Sequence, residues 1–259
     1  MSTIIYPSPI FGPVHSRRLG ISLGINLLPA DGKVCSFDCI YCECGLNRER
    51  RPSCKMPTRE DVRTTLEARL QQMATVGPKP DVLTFAGNGE PTLHPDFAAI
   101  IEDTRRLRDC YCPEARISVL SNATRILRSD IFAALCTVDN NILKLDTVDG
   151  DFIQTVDRPT GNYAVKDIVE GLIRFRGHVI IQTMFLTGTD EQGHDVTNTS
   201  ELYVKPWLKA LEAIGPERVM IYTIDRETPV TTLHKVAAEV LDDIAEQVRA
   251  IGLECSVAY

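Results

Sequence analysis

Apolar positions along the chain follow two alternating periods. Short β-rich runs stand near 20–28 (GISLGINLL), 81–86 (DVLTFA), 116–120 (RISVL), 141–146 (NILKLD), 178–186 (HVIIQTMFL) and 217–224 (ERVMIYTI), which predicts six strands. Helical spacing fills the gaps. Residues 58–75 open with Thr58 as N-cap and Asp61 three residues on, then carry Val62, Leu66, Leu70 and Met73 on one face. Further helices are expected at 95–108, 129–137, 164–176, 199–213 and 232–251, the last with Val236, Val240, Ile244, Val248 and Ile251 as its stripe. A short strand at 253–258 closes the series. Repeated strand–helix units imply an α/β fold on a parallel sheet with right-handed crossovers, either a partial barrel or an open doubly wound sheet. With 259 residues and no internal repeat or low-complexity linker, a single domain over 1–259 is expected.

The unusual residues fall just after strands. A cysteine-rich loop, about 30–57, follows the first, GNGEP (87–91) the second and SNA (121–123) the third. Lys144 and Asp146 close the fourth, and TIDRETP (223–229) follows the sixth. The carboxyl ends of parallel strands carry the chemistry of α/β barrels and sheets, so these residues mark one rim as a site.

Composition narrows the class. A hydrophobic fraction of 44% and a charged fraction of 24% describe an ordinary globular chain. The net charge of -7 argues against a protein built to hold a nucleic-acid backbone. No run of about 18 apolar residues is present to span a bilayer, and the opening MSTIIYPSPIFGPVHSRR lacks the order of a secretory signal, so a cytoplasmic location is expected. Nine cysteines, an odd number, stand in a chain too long to need disulfide staples, which points to metal or redox chemistry.

Cys35, Cys39 and Cys42 are separated by three and two residues and can wrap one face of a cubic iron–sulfur cluster, leaving one iron open. A zinc site wants a fourth ligand, which Cys44 or Cys54 can supply, so spacing alone leaves zinc in play. Cys-x3-Cys-x2-Cys with Tyr41 before the last cysteine resembles the signature of the radical S-adenosylmethionine (radical SAM) superfamily. GNGEP resembles that superfamily's glycine-glycine-glutamate element, with Asn88 in place of a glycine. FGPVHSRRLGISLGINLLP, GNGEPTLHPDF and YTIDRETP are similar to a branch of wyosine-synthase-like Fe-S oxidoreductases near the glycyl-radical activating enzymes.

The resemblance implies a partial (βα)6 TIM-like barrel and an enzyme that cleaves S-adenosylmethionine (SAM) at one 4Fe-4S cluster held by Cys35, Cys39 and Cys42. It places Gly87, Asn88, Gly89 and Glu90 at the methionine amine and Tyr41 at the adenine. Glycine lets a backbone approach a ligand closely, and a carboxylate complements an ammonium. Ser121 and Asn122 suit the methionine carboxylate or ribose, though such residues also favour turns and caps. Lys144 and Asp146 point to one face of their strand and fall where related enzymes keep a charged pair near the nucleoside.

Gln182 and Met184 are expected to face the barrel interior if Ile181 and Phe185 pack outward, with Gln182 at the cofactor or simply filling the core. Asp225 and Arg226, with Thr223, sit where a substrate should lie, and Arg158 in the DRP turn is expected to join them; an ion-pair network closing the barrel is the alternative. Arg17 and Arg18 belong to the branch's pattern, as cluster or substrate contacts or as an N-terminal clasp. Cys136 and Cys255 read as core, and the cluster loop is expected outside it.

Residues 47–59 carry a local net charge of +4, either a solvated loop or a collar for an acidic electron donor such as flavodoxin or ferredoxin, or for an anionic substrate. The resemblance leaves three substrate classes: a protein glycine, a small anionic metabolite and a tRNA base. The acidic balance and the lack of an added RNA-binding module disfavour the last. The rival from another class is a zinc-binding module that only recognises a partner.

Overall fold

In a computed structural model, residues 4–16 and 20–259 are described. Arg17 and Arg18 lie outside the described residues. The chain runs β1 (Ile10–Ser16), β2 (Gly20–Ile25), α1 (Arg59–Thr75), β3 (Val82–Phe85), α2 (Phe97–Tyr111), β4 (Arg116–Ser121), α3 (Ser129–Leu135) and β5 (Asn140–Lys144). It continues through α4 (Gly150–Phe152), α5 (Val165–Ile173), β6 (Ile180–Phe185), β7 (Thr187–Gly188), α6 (Glu201–Ile214), β8 (Arg218–Thr223), β9 (Leu233–His234), α7 (Ala238–Ala250) and β10 (Cys255–Ala258).

One eight-stranded sheet has the order β1-β2-β3-β4-β5-β6-β8-β10. Every neighbour pair from β2 to β10 is parallel, and only β1 runs antiparallel, along β2. Six strand–helix units thus make an open α/β barrel, the partial (βα)6 architecture that the pattern and the resemblance imply. β1 escapes the pattern because Gly12 and Pro13 interrupt its alternation at an irregularity between Phe11 and Val14, a composition tolerated on an edge strand.

The period of two sorts the strand residues between layers. Leu23, Leu83, Phe85, Ile117, Val119, Leu143, Ile181, Phe185, Val219 and Ile221 point outward and are buried under the helices in the main core. Their neighbours Ser22, Gly24, Thr84, Leu120, Ile142, Gln182 and Met220 face a central lumen. Helix α1 starts where its cap predicts, with Thr58 and Asp61 forming a reciprocal capping box and Val62, Leu66, Leu70 and Met73 buried.

Helix α7 is shorter than expected. Leu233 and His234 pair with β7 instead, and the buried stripe is Leu241, Ile244, Ala245 and Val248, leaving Val240 exposed. Cys255 is buried as expected, whereas Cys136 is exposed just past α3.

Phe11 of β1 packs over Gly24 of β2, and a Cβ at Gly24 would stand 2.2 Å from the Phe11 ring. Gly24→Ala therefore overpacks this edge, at a cost of about 1–3 kcal/mol. Thermal melts should show the loss, and Phe11→Ala in the same chain should restore most of it.

Candidate active site

The loop from β2 to α1 is held on two sides. Toward β3, the Val34 amide donates to the Asn88 carbonyl (3.0 Å) and the Val34 carbonyl accepts from the Glu90 amide (3.1 Å), so the GNGEP turn pairs with the chain just before Cys35. Toward the turn after α4, the amides of Asp38 and Ile40 donate to the carbonyls of Asp157 (3.0 Å) and Val156 (2.9 Å). Phe37, Cys39, Ile40 and Tyr41 are buried in a second core with Phe152, Val156, Met184, Leu186, Val196, Val230 and Leu233. The expectation that the loop lies outside the packed core is thus corrected: its apolar residues from Phe37 to Tyr41 pack into the second core.

Both glycines of the GNGEP turn are required by its shape. Gly87 and Gly89 have φ of 144° and 127°. A Cβ on Gly89 would stand 2.0 Å from the Val34 carbonyl oxygen. Asn88, where the resemblance expects glycine, turns its amide away from the cysteines: it accepts from the Tyr6 amide (2.8 Å) and donates to the carbonyls of Tyr6 (2.9 Å) and Pro29 (2.8 Å). It ties the N-terminal segment to the rim. Gly89→Ala forces a residue into a strained backbone region worth about 1–3 kcal/mol and pushes on Val34. Iron bound per chain after reconstitution should fall well below the wild-type value while the far-UV circular dichroism persists.

Glu90 is buried, and its carboxylate accepts from the Thr92 amide (3.0 Å), the Thr92 hydroxyl (2.5 Å), the Ser121 hydroxyl (2.8 Å) and the Asn122 amide (2.7 Å). It joins the ends of β3 and β4. Burial raises its pKa above the usual glutamate range against the pull of those donors. Asn122 also donates to the Ser36 hydroxyl (3.0 Å) and reaches the Cys35 sulfur at 3.6 Å.

The three thiols sit in unlike surroundings. Burial pushes Cys35 up to about 12 and Cys39 well above the ordinary thiol range. Cys42 is held down to about 5, first by a hydrogen bond from the Cys44 thiol and then by Lys33, while Cys44 is raised in return. Lys33, which the sequence reading passed over, is 3% exposed. Its ammonium donates to the Gly45 carbonyl (2.8 Å) and stands 3.6 Å from Asp38. Burial opposes its charge, but the neighbouring cysteines, Cys42 foremost, together with Asp38 outweigh burial and raise its pKa.

That buried cation tests whether an iron–sulfur cluster fits. A desolvated ammonium with one distant carboxylate is poorly compensated, and an anionic group at the three thiols supplies what it lacks. Among the described residues, no three His, Cys, Asp or Glu side chains converge as ligands of a single metal ion. A cubic cluster asks less convergence, because each thiolate meets a different iron. Cys54 is exposed, with its backbone amide turned to Asp31, so of the two thiols named for zinc only Cys44 adjoins the trio.

Beside Cys39 lies a buried charged group. The Lys144 ammonium contacts Asp157 (2.5 Å), Asp146 (3.2 Å), the Tyr41 hydroxyl and the Cys39 sulfur (3.2 Å). Tyr41 donates to Asp146 and reaches Asp157 at 3.3 Å. Burial opposes the lysine's charge, yet the two carboxylates hold its pKa well above the usual range. The strand end is fixed behind it, where the Leu145 carbonyl accepts from Thr183 (2.8 Å) and Trp207 (3.1 Å). Asp157 was not singled out from sequence; its signal was the DRP turn, read there for its arginine.

The lumen is a cavity of about 650 Å³ roofed by Cys42, Glu43 and Cys44 and walled on its open side by Ile4, Tyr6, Phe11 and Val14. Gln182 faces it, and among the described residues no hydrogen bond reaches its carboxamide. A smaller cavity of about 200 Å³ adjoins Tyr41, Met184, Tyr222 and Asp225. Arg226 lines both and pairs with Glu43 at 3.0 Å. Arg158 does not join them: its guanidinium grips Glu191 (2.9 and 2.5 Å) and lines neither cavity. Of the basic collar, Arg51 and Lys55 are exposed and Arg48 is 76% exposed, but Arg59 is taken by Asp103 of α2 (2.6 and 2.8 Å).

An open parallel α/β barrel with three cysteines on the loop after its first parallel strand defines a cluster-binding barrel. The chain belongs to the radical SAM superfamily, whose family model matches residues 31–203. It is 36% identical over 199 residues to a UPF0026 protein of Methanocaldococcus jannaschii, covering 74% of this chain and 58% of that protein's length. A UPF0026 protein of Helicobacter pylori is 30% identical over 224 residues, 85% of this chain and 67% of that protein. In fold, the chain is similar to a radical SAM methyltransferase from Sphaerobacter thermophilus (TM-score 0.68, 14% identity, 92% of this chain and 66% of that one). It is also similar to SuiB of Streptococcus suis bound to S-adenosylmethionine (TM-score 0.63, 14% identity, 90% and 50%). Radical SAM enzymes bind a 4Fe-4S cluster and SAM and draw an electron from a reductant. No helix among the described residues is long and apolar enough to cross a membrane.

Proposed function

We propose that this chain is a radical SAM enzyme that cleaves SAM reductively and takes hydrogen from a small molecule in the lumen. The observation that carries the reading is the cysteine loop itself, paired through Val34 with the GNGEP turn, reached at Cys35 by Asn122 of the SNA turn, and roofing a 650 Å³ cavity with Cys42. Cys35, Cys39 and Cys42 would hold a 4Fe-4S cluster, which, once reduced by an external donor, would supply the electron for cleaving SAM to methionine and a hydrogen-abstracting 5'-deoxyadenosyl radical.

This chain's residues do the holding. The glycines at 87 and 89 keep the rim backbone bare, and Glu90 locks the β3 and β4 turns into one edge beside Cys35. Lys144 and Asp146 offer a charged pair to the nucleoside side. Arg226, neutralised by Glu43, and the amide of Gln182 face the substrate space. Tyr6 and Phe11 close the barrel's open side, which favours a small substrate over a protein glycyl loop and carries no support for a tRNA base.

Anaerobic reconstitution tests the proposal. The loaded protein should be brown and, with SAM and dithionite, release methionine and 5'-deoxyadenosine in equal amounts; deuterium passed into deoxyadenosine from candidate substrates then identifies the donor. A colourless protein holding one zinc and making no deoxyadenosine overturns it.

A further inference from the structure

We infer that Lys33 sets the reduction potential of the cluster, as a fixed buried positive charge behind its three thiolates. This rests on the cluster reading above and adds a role for a residue that no motif contains. Lys33 lies two residues before Cys35, its side chain is 1% exposed, and its ammonium sits inside the cysteine loop, against the carbonyl of Gly45, whose amide donates to the Cys42 carbonyl (2.9 Å), and near Asp38, the neighbour of Cys39 in sequence. Two backbone bonds hold it in place: its amide donates to the Arg50 carbonyl (2.7 Å), and its ammonium donates to the Gly45 carbonyl (2.8 Å). The ammonium therefore cannot swing out to water without breaking the loop that carries the cysteines.

The other ammonium at the thiols is differently placed. Lys144 lies between Asp146 (3.2 Å) and Asp157 (2.5 Å), so its charge is already met by carboxylates. Among the described residues, the carboxylate that Lys33 meets is Asp38, at 3.6 Å, and that side chain is 24% exposed and also accepts from the Asn47 amide (2.7 Å). Of the two lysines, Lys33 is the one whose charge is left for the cluster. Reduction makes a cluster more negative by one electron, and net charge and hydrogen bonds at the sulfurs are the protein's levers on its potential. A buried cation stabilises the reduced form over the oxidised one, because low polarisability around it leaves its field unscreened. The midpoint potential is thus raised toward the reach of a biological reductant.

Two substitutions with opposite signs test this in the reconstituted holoenzyme. Lys33→Gln keeps a donor for the Gly45 carbonyl and removes the charge; Asp38→Asn keeps an acceptor for Asn47 and frees the lysine's charge. In redox titrations followed by electron paramagnetic resonance, Lys33→Gln should shift the midpoint to more negative potential and Asp38→Asn to less negative, with Lys33→Arg close to wild type. Midpoints that stay together, or that move in the same direction, overturn the inference. If Lys33→Gln alone fails to take up iron, the doubly neutral Lys33→Gln/Asp38→Asn protein compared with Asp38→Asn decides, because that pair differs only in the lysine's charge: the double variant should lie at more negative potential, and an equal or less negative midpoint overturns the inference. A wild-type protein with no cluster defeats the functional reading instead, and the two failures are distinguished before any titration begins.

Discussion

Cys39→Ala is expected to give a folded, colourless protein that binds no 4Fe-4S cluster and releases no 5'-deoxyadenosine. Cys39 is the buried member of the trio, 8% exposed within the second core, and its sulfur is the one that Lys144 reaches at 3.2 Å. Removing one small sulfur from that core costs on the order of 1 kcal/mol, the scale of a buried methylene, so the fold survives. Two thiolates remain where a cluster needs three, so uptake is lost outright, not weakened. Iron analysis and visible absorption after anaerobic reconstitution check this, with Cys136→Ala, an exposed thiol just past α3, as the unaffected control. A brown Cys39→Ala protein with wild-type turnover would show that the ligands lie elsewhere.

Lys144→Met should be the most destabilising single change at the site. It leaves Asp146, Asp157 and Tyr41 buried together with no cation, and breaking a buried ion pair from one side costs about 3–5 kcal/mol. That is a large part of the 5–15 kcal/mol, roughly, that holds a domain folded. The loss should depend on pH in a fixed direction. Burial already raises the Asp146 pKa to about 6 despite Lys144 pulling it down, and without the lysine it rises further. A carboxyl whose folded pKa lies above its unfolded value binds more protons in the native state, so stability falls as pH rises through that window. The variant should therefore be least stable at neutral and alkaline pH and recover toward pH 5, close to the unfolded aspartate range. Urea melts at the two ends of the window measure this, and a deficit that grows on acidification sinks the account. Lys144→Met with Asp157→Asn should recover part of the loss, because the second change removes one of the stranded charges.

Much of this molecule is legible without coordinates, for local reasons. The period of two in VLTF, RISVL and IIQTMF reports which side of a strand is buried, and that rule holds wherever a strand is packed between helices and a lumen. Thr58 and Asp61 announce α1 because a cap is settled within four residues. Cys35, Cys39 and Cys42 declare metal chemistry by spacing within one loop. The elements that escaped are those whose sense is set from a distance. Strand β1 exists because β2 offers an edge and Gly24 leaves room for Phe11, and neither fact is visible in IFGPVHS itself. Val240 fits a helical stripe with Val236, but the β9 pairing cuts the helix short and Leu241 takes the buried position.

At the site the same division holds. The residue types and their place at the carboxyl ends of the strands follow from sequence, because α/β topology sends every such end to one rim. Their partners do not. Arg158 was grouped with Asp225 and Arg226 by charge, yet Glu191 claims it, and Arg226 is claimed by Glu43. Glu90 is held by Thr92, Ser121 and Asn122, and neither Asp157, which reaches Cys39, nor Lys33, buried inside the cysteine loop, is a position that the cluster or cofactor motif marks. Sequence alone thus determined the order of layers and the chemistry on offer, both encoded in short-range period and spacing. Tertiary structure decided which charges are paired and which thiol lies beside which ammonium, because those contacts join residues up to a hundred positions or more apart.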